Sequence, residues 1–163
     1  MHRDESYTIS ASIVLFKPDM NQLKGVIESF APAEKRLLYL IDNSPVETDV
    51  KAISSSNKYI TYYYTGENKG YGAGHNIGIN MSIKDGAKYH CVLNPDLAFN
   101  PVIINIISEF MDADESIGQV MPKILNEKGE LQYLCKLIPT PFDLLFKRFL
   151  PSFFSQKYLT AFS

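Results

Sequence analysis

The chain has few cysteines and no marked excess of charge of either sign. Cys91 and Cys135 are far apart and match no paired metal-ligand spacing, so the 163-residue sequence indicates neither a disulfide framework nor a cysteine metal site. The 16 basic and 18 acidic residues give a formal net charge of -2. This charge provides no overall attraction to nucleic acid, and we expect no nucleic-acid partner.

Long apolar runs are also missing. No window approaches the roughly 20 apolar residues that span a bilayer, and residues 1–6 contain no apolar signal region. We therefore expect a cytoplasmic protein. With 45% hydrophobic and 21% charged residues, the composition is that of a globular domain.

Short apolar runs alternate with segments of helical spacing along most of the chain. The runs predict strands at 9–16, 37–41, 59–64, 89–93 and 117–121, and the spacing predicts helices at 20–30, 46–53, 73–83 and 101–111. This order predicts an α/β fold with a mainly parallel, Rossmann-like sheet and helices on both of its faces.

The pattern changes after Lys123, where a polar turn at 126–129 between apolar residues predicts a hairpin. We expect a sheet domain over 1–135 and an aromatic, proline-punctuated helical tail over 136–163. The apolar spacing in this tail is more typical of a core face than of a membrane contact. Its positive balance nevertheless leaves peripheral contact with the inner face of a membrane open.

A glycine-rich loop, Asn68–Gly78, follows the third predicted strand. Glycines allow the backbone to approach a ligand closely, and with Lys69 and Asn76 this loop suits a phosphate group. It departs from the dinucleotide fingerprint because Ile77 stands where the third glycine is expected, and no Walker A lysine follows. The alternative is a tight strand-to-helix turn without a ligand.

A second candidate segment, Asn94-Pro95-Asp96, ends the fourth predicted strand. One carboxylate in this position suits Mg²⁺ or Mn²⁺ shared with substrate phosphates. The alternative is that Asp96 begins a turn or caps the next helix, with Asn94 as a turn residue.

A third candidate segment, Asp42-Asn43-Ser44, ends the second predicted strand. The carboxylate could accept a hydrogen bond from a pyrimidine N–H, and its polar neighbours could contact ribose. An Asx turn into Pro45 is the alternative. His75, inside the glycine loop, is expected to be a surface or packing residue.

All three segments follow strands of one predicted parallel sheet. The carboxyl ends of such strands share an edge, where ligands of open α/β sheets bind. The sequence therefore predicts a nucleotide-sugar site at this edge.

Together these segments resemble the inverting glycosyltransferases of family 2, which have the GT-A fold, and particularly the rhamnosyltransferase-like members of bacterial polysaccharide synthesis. The resemblance is carried by Ser12–Phe16 with Lys17-Pro18, Ile41–Ser44, Asn68–Gly78 and Leu93–Asp96. It implies metal-assisted transfer of a sugar, such as rhamnose, from a dTDP- or UDP-linked donor to a glycan or lipid-linked acceptor.

The resemblance also implies roles for individual residues. Asp42 would bind the base, Lys69 and the backbone of Gly70–Gly74 would lie near ribose and phosphates, and Asp96 would ligate the metal. Asn94 departs from the paired aspartates usual in the family. The expected donor-binding residues are Asp42, Asn43, Ser44, Lys69, Gly70, Gly72, Gly74, Asn76 and Asn94.

One part of the family pattern is not found. The Gly-Gly-Phe-Asp-like stretch and the Glu-Asp pair that supplies the general base do not occur before Ser163. We therefore assign no catalytic residue and expect a chain truncated to the nucleotide-sugar-binding half. The alternative is a non-catalytic module that binds a nucleotide sugar or a partner, and the broken fingerprint disfavours an NAD-type oxidoreductase.

Overall fold

Four parallel strands form one sheet in the computed structural model of the protein, which describes residues 8–126 and 129–131. The strands are β1 (Thr8–Leu15), β2 (Arg36–Asp42), β3 (Ile60–Tyr64) and β4 (Ala87–Leu93), and they lie in the order β3-β2-β1-β4. The predicted α/β class with a parallel sheet is confirmed.

Four helices connect or follow these strands. They are α1 (Met20–Phe30), α2 (Lys51–Ser56), α3 (Tyr71–Lys84) and α4 (Val102–Ala113). Helix α1 has the predicted bounds because Asp19 caps it: the Asp19 carboxylate accepts hydrogen bonds from the backbone N–H groups of Asn21 and Gln22 at 2.7 and 3.2 Å.

The two faces of the sheet differ in character. Alternate residues of β1 point to opposite faces, and one face forms a large apolar core with α1 and α4. The β1, α1 and α4 residues of that core are Ile9, Ala11, Ile13, Leu15, Leu23, Val26, Phe30 and Ile104. The other face carries a smaller apolar cluster of Val14, Tyr39 and Ile41, against which Ile77 and Met81 of α3 pack.

Two predicted elements are wrong. The helix expected at 46–53 begins at Lys51, because the Thr48 hydroxyl donates to the Asp42 carboxylate at 2.6 Å and holds the preceding residues in a loop. The segment 117–121 is not a strand. Its short apolar run pairs with no strand of the described sheet, and a strand is stable only when its backbone groups are paired.

The chain divides into two compact units, residues 1–120 and 121–163. In the second unit, an antiparallel bridge joins Leu125 and Leu131, which agrees with part of the predicted hairpin. The predicted helical tail at 136–163 lies outside the described residues. Within the described residues, no helix is both long and apolar enough to cross a membrane.

Candidate functional site

The edge formed by the carboxyl ends of the strands contains all three predicted site segments. They follow β2, β3 and β4 of one parallel sheet. The chain adds β2 and β3 on one side of β1 and β4 on the other, so the strand order reverses between β1 and β4. In open parallel sheets, a crevice for ligands forms at this point.

Asp42 is buried and already hydrogen-bonded. Its carboxylate accepts from Ser44 N–H at 2.9 Å, Thr48 Oγ1 at 2.6 Å and Tyr62 Oη at 2.7 Å, and no part of the residue is exposed. Burial alone would raise its pKa, but these hydrogen bonds outweigh burial and lower the pKa of Asp42. The carboxylate is therefore a charged anchor for the loop, and its predicted contact with a base stays a prediction.

Asn43 connects the end of β2 to the glycine loop. Its Nδ2 donates to the Gly70 carbonyl at 3.0 Å, and its Oδ1 is buried without a hydrogen-bond partner among the described residues. Ser44 is also buried, and its Oγ accepts from Lys17 N–H at 2.8 Å. These two residues fix the shape of the edge.

The glycine loop turns sharply into α3. Gly70 has φ of 82°, a left-handed conformation that favours glycine, and its N–H donates to Asn68 Oδ1 at 3.0 Å. Lys69 is exposed and pairs with Glu67 at 2.7 Å. A surface pair of this kind contributes little stability, so Lys69 can exchange Glu67 for a phosphate at small cost.

The start of α3 has no side-chain cap. The first backbone hydrogen bond of the helix runs from Gly74 N–H to the Gly70 carbonyl at 3.0 Å. The preceding N–H groups, including that of Gly72, have no intrahelical acceptor, as at the start of any helix. Together with the helix dipole, such groups favour an anion.

Gly74 is buried and packs against the sheet. A Cβ on Gly74 would lie 2.7 Å from Val14 Cγ2, and a Cβ on Gly78 would lie 2.4 Å from Ser12 Cβ. These two glycines let α3 approach β1 closely. Gly72 and Asn76, in contrast, are exposed.

The Asn94-Pro95-Asp96 turn meets the start of α3 through one side chain. Tyr71 Oη donates to Asn94 Oδ1 at 2.7 Å. Burial and the nearby Asp96 carboxylate both raise the pKa of Tyr71. Asn94 and Asp96 are exposed, so both are accessible to a ligand.

A metal at this edge would have one protein carboxylate. No group of three His, Cys, Asp or Glu residues that could hold a metal occurs within residues 8–126 and 129–131. Mg²⁺ is often bound by one or two carboxylates together with substrate phosphates and water. The exposed Asp96 fits a metal that is completed by the phosphates of its ligand.

Sequence reasoning missed a buried polar network on the α3 face of the sheet. Ser12 Oγ is hydrogen-bonded to His75 Nδ1 at 2.7 Å and to His90 Nε2 at 2.8 Å. Ser10 Oγ is hydrogen-bonded to His90 Nδ1 at 2.8 Å and to Ser82 Oγ at 2.6 Å. The two serines alternate along β1, and this spacing was the available signal that they share a face.

The network ends beneath Tyr71. His75 is 4% exposed, and its Nε2 has no hydrogen-bond partner among the described residues. The ring of Tyr71 packs on it edge to face, with 4.3 Å between ring centroids. Burial lowers the pKa of His75, and burial followed by the charge of His75 lowers the pKa of His90 to about 4. Both rings are therefore neutral near pH 7.

No family model matches the chain, and no curated protein matches it. Solved structures of TarS from S. aureus are similar to it in fold. The structure of TarS 1–349 matches with a TM-score of 0.54 and 11% identity, and the match covers 71% of this chain and 38% of the TarS 1–349 chain. A second TarS structure matches with a TM-score of 0.53 and 11% identity, and that match covers 74% of this chain and 24% of the TarS chain. The likeness agrees with the predicted Rossmann-like fold, and at this identity it shows the fold alone. The chain spans less than two fifths of either TarS chain.

Proposed function

We propose that the chain is the donor-binding part of a glycosyltransferase and holds a nucleoside-diphospho sugar at the carboxyl edge of its sheet. The observation that carries this proposal is the meeting of an uncapped α3 N-terminus with an exposed carboxylate, connected by the Tyr71–Asn94 hydrogen bond. Both features suit a diphosphate, because its oxygens accept from N–H groups and can share a cation with a carboxylate.

Each residue of the edge then has a distinct task. The N–H groups at Gly72 and its neighbours would donate hydrogen bonds to the diphosphate, and Lys69 would add a mobile positive charge. The exposed Asn76 and Asn94 would hydrogen-bond the sugar or phosphates. Asp42, Asn43, Ser44 and the closely packed Gly74 would hold the edge in shape, and a hydrogen bond from the base to Asp42 stays a prediction.

Asp96 would ligate Mg²⁺ or Mn²⁺ together with two phosphate oxygens. When bound, such a metal would neutralise the charge that develops on the departing diphosphate. The chain's own contribution is to hold the diphosphate between this carboxylate and the α3 N-terminus, which fixes the direction in which the sugar is presented.

The proposal also covers the donor, its sugar and the acceptor. The donor would be dTDP- or UDP-linked, rhamnose is one candidate sugar, and the acceptor would be a glycan or a lipid-linked glycan, approached from the cytoplasmic side. Binding of the nucleotide sugar without transfer is the alternative function. Two observations favour it: no group of three His, Cys, Asp or Glu residues gathers at Asp96 within the described residues, and Glu67, another exposed acid at this edge, is paired with Lys69.

The test is calorimetric titration of the full chain with UDP and dTDP sugars, with and without MnCl₂. We expect Mn²⁺ to tighten binding and Asp96→Ala to abolish that gain, a loss of about tenfold or ~1.4 kcal/mol. Glu115→Ala is the matched control, because Glu115 is an exposed acid beyond the end of α4. Equal Mn²⁺ dependence in Asp96→Ala and the parent chain would refute the metal site, and no nucleotide binding at all would refute the proposed function.

A further inference from the structure

Tyr71 lies where the start of α3 meets the turn that carries Asp96. Its phenol O–H donates to Asn94 Oδ1 at 2.7 Å. Among the hydrogen bonds of the described residues, this one joins the glycine loop to the 94–96 turn. One hydroxyl group therefore connects the glycine loop directly to the turn that carries Asp96.

The position of the Tyr71 ring is itself fixed from below. The ring packs edge to face on His75, with an angle of 71° between the ring planes. His75 is buried and cannot turn freely, because its Nδ1 is held by Ser12 Oγ, which also contacts His90. Tyr71 is 53% exposed, so this stack and the bond to Asn94 are its main restraints.

The protonation state of Tyr71 suits a donor role. Its Oη lies 2.7 Å from Asn94 Oδ1, an amide oxygen that can only accept a hydrogen bond. A protonated phenol can donate to the Asn94 amide oxygen, whereas a phenolate could not.

We propose that Tyr71 is a positioning residue, which holds Asn94 and thereby fixes Asp96 at a set distance from the N-terminus of α3. This inference rests on the proposed function, since it concerns how one diphosphate can reach both the helix N–H groups and the Asp96 carboxylate. Without the hydroxyl, the helix N–H groups remain in place and the turn is released. The metal-dependent part of binding then weakens more than the metal-independent part, to which this turn contributes only through Asn94.

The variant that isolates this role is Tyr71→Phe, which keeps the ring on His75 and removes the hydroxyl. Tyr59→Phe is the matched control, because Tyr59 lies beside the start of β3, at the other end of that strand from the site. The first measurement is amide hydrogen exchange by NMR in the ligand-free chain, read at Leu97, whose N–H bonds to the Asn94 carbonyl. Loss of one neutral hydrogen bond predicts exchange about threefold to tenfold faster in Tyr71→Phe. Unchanged exchange at Leu97 would overturn the proposal.

The second measurement separates positioning from a general loss of structure. UDP and dTDP are titrated with and without MnCl₂, and the gain in affinity from Mn²⁺ is compared between variants. We expect Tyr71→Phe to reduce this gain about threefold to tenfold and to weaken metal-free binding by a smaller factor, and we expect Tyr59→Phe to change neither. A full gain in Tyr71→Phe would overturn the proposal. If the parent chain itself shows no gain, the metal-assisted function fails, and the exchange at Leu97 alone decides the role of Tyr71.

Discussion

Gly78 of α3 lies directly against Ser12 of β1, so closely that a Cβ on the glycine would come within 2.4 Å of the serine Cβ. Ser12 is fully buried and held by two histidines, so it cannot move aside. This contact sets the distance between α3 and the sheet. The position of the glycine loop at the start of α3 depends on the same distance.

We predict that Gly78→Ala destabilises the fold by about 1–3 kcal/mol, because overpacking of a rigid contact exceeds the gain in helix propensity. The control is Gly72→Ala, since a Cβ on Gly72 meets no atom within 4 Å. That substitution should stabilise the helix by up to about 1 kcal/mol. Urea unfolding followed by circular dichroism gives both values, and equal stabilities of the two variants would contradict the packing role of Gly78.

Stability should fall as the pH is lowered from 7 to 5, because His75 and His90 are buried in neutral form. Their pKa values are lowered in the folded state, to about 4 for His90, whereas an unfolded histidine titrates near 6.5. Below pH 6.5 the unfolded chain therefore binds more protons than the folded chain, and the difference grows until the folded pKa is reached. We expect a loss of about 1–2 kcal/mol for His90 between pH 7 and pH 5.

Urea midpoints at pH 7 and pH 5 measure this loss. His90→Gln is the informative variant, because glutamine can hydrogen-bond and does not titrate. Its stability should depend less on pH in this range than that of the parent chain. An identical pH dependence in both proteins would show that His90 is not the responsible group.

Asp42→Asn should destabilise the protein by about 2–4 kcal/mol, since the carboxylate accepts three hydrogen bonds and is fully buried. An amide has one acceptor oxygen and would direct its N–H₂ group at hydroxyl groups that now donate. Asp49→Asn is the control, because Asp49 is exposed, and it should change stability by less than about 0.5 kcal/mol. Unfolding in urea measures both, and a stable Asp42→Asn protein would mean that Asp42 is not a structural anchor.

The sequence predicted the order of the elements well where local signals were strong. Asp19 and the apolar spacing behind it define α1, and Gly70 marks the turn into α3. Local signals failed where a distant partner decides the outcome. The loop around Thr48 is held by Asp42, and no local pattern reveals that bond.

The candidate site shows the same limit. The sequence predicted which segments share the carboxyl edge, because that follows from the alternation of strands and helices. It did not predict that Asp42 accepts hydrogen bonds from Tyr62 and Thr48, or that Gly74 faces Val14. These contacts depend on which strands are neighbours in the sheet. The sequence of a single strand does not reveal its neighbours, as the pairing of β1 with β4 shows.

That adjacency also constrains the order in which the protein can be assembled. β1 begins at Thr8 and pairs with β4, which ends at Leu93. As a nascent chain leaves the ribosome, β2 can pair with β1 early, but the other side of β1 stays open until Leu93 has emerged. Ser10 and Ser12 cannot bond to His90 before His90 has emerged, so β1, the first of these four strands to be synthesised, is among the last to be enclosed.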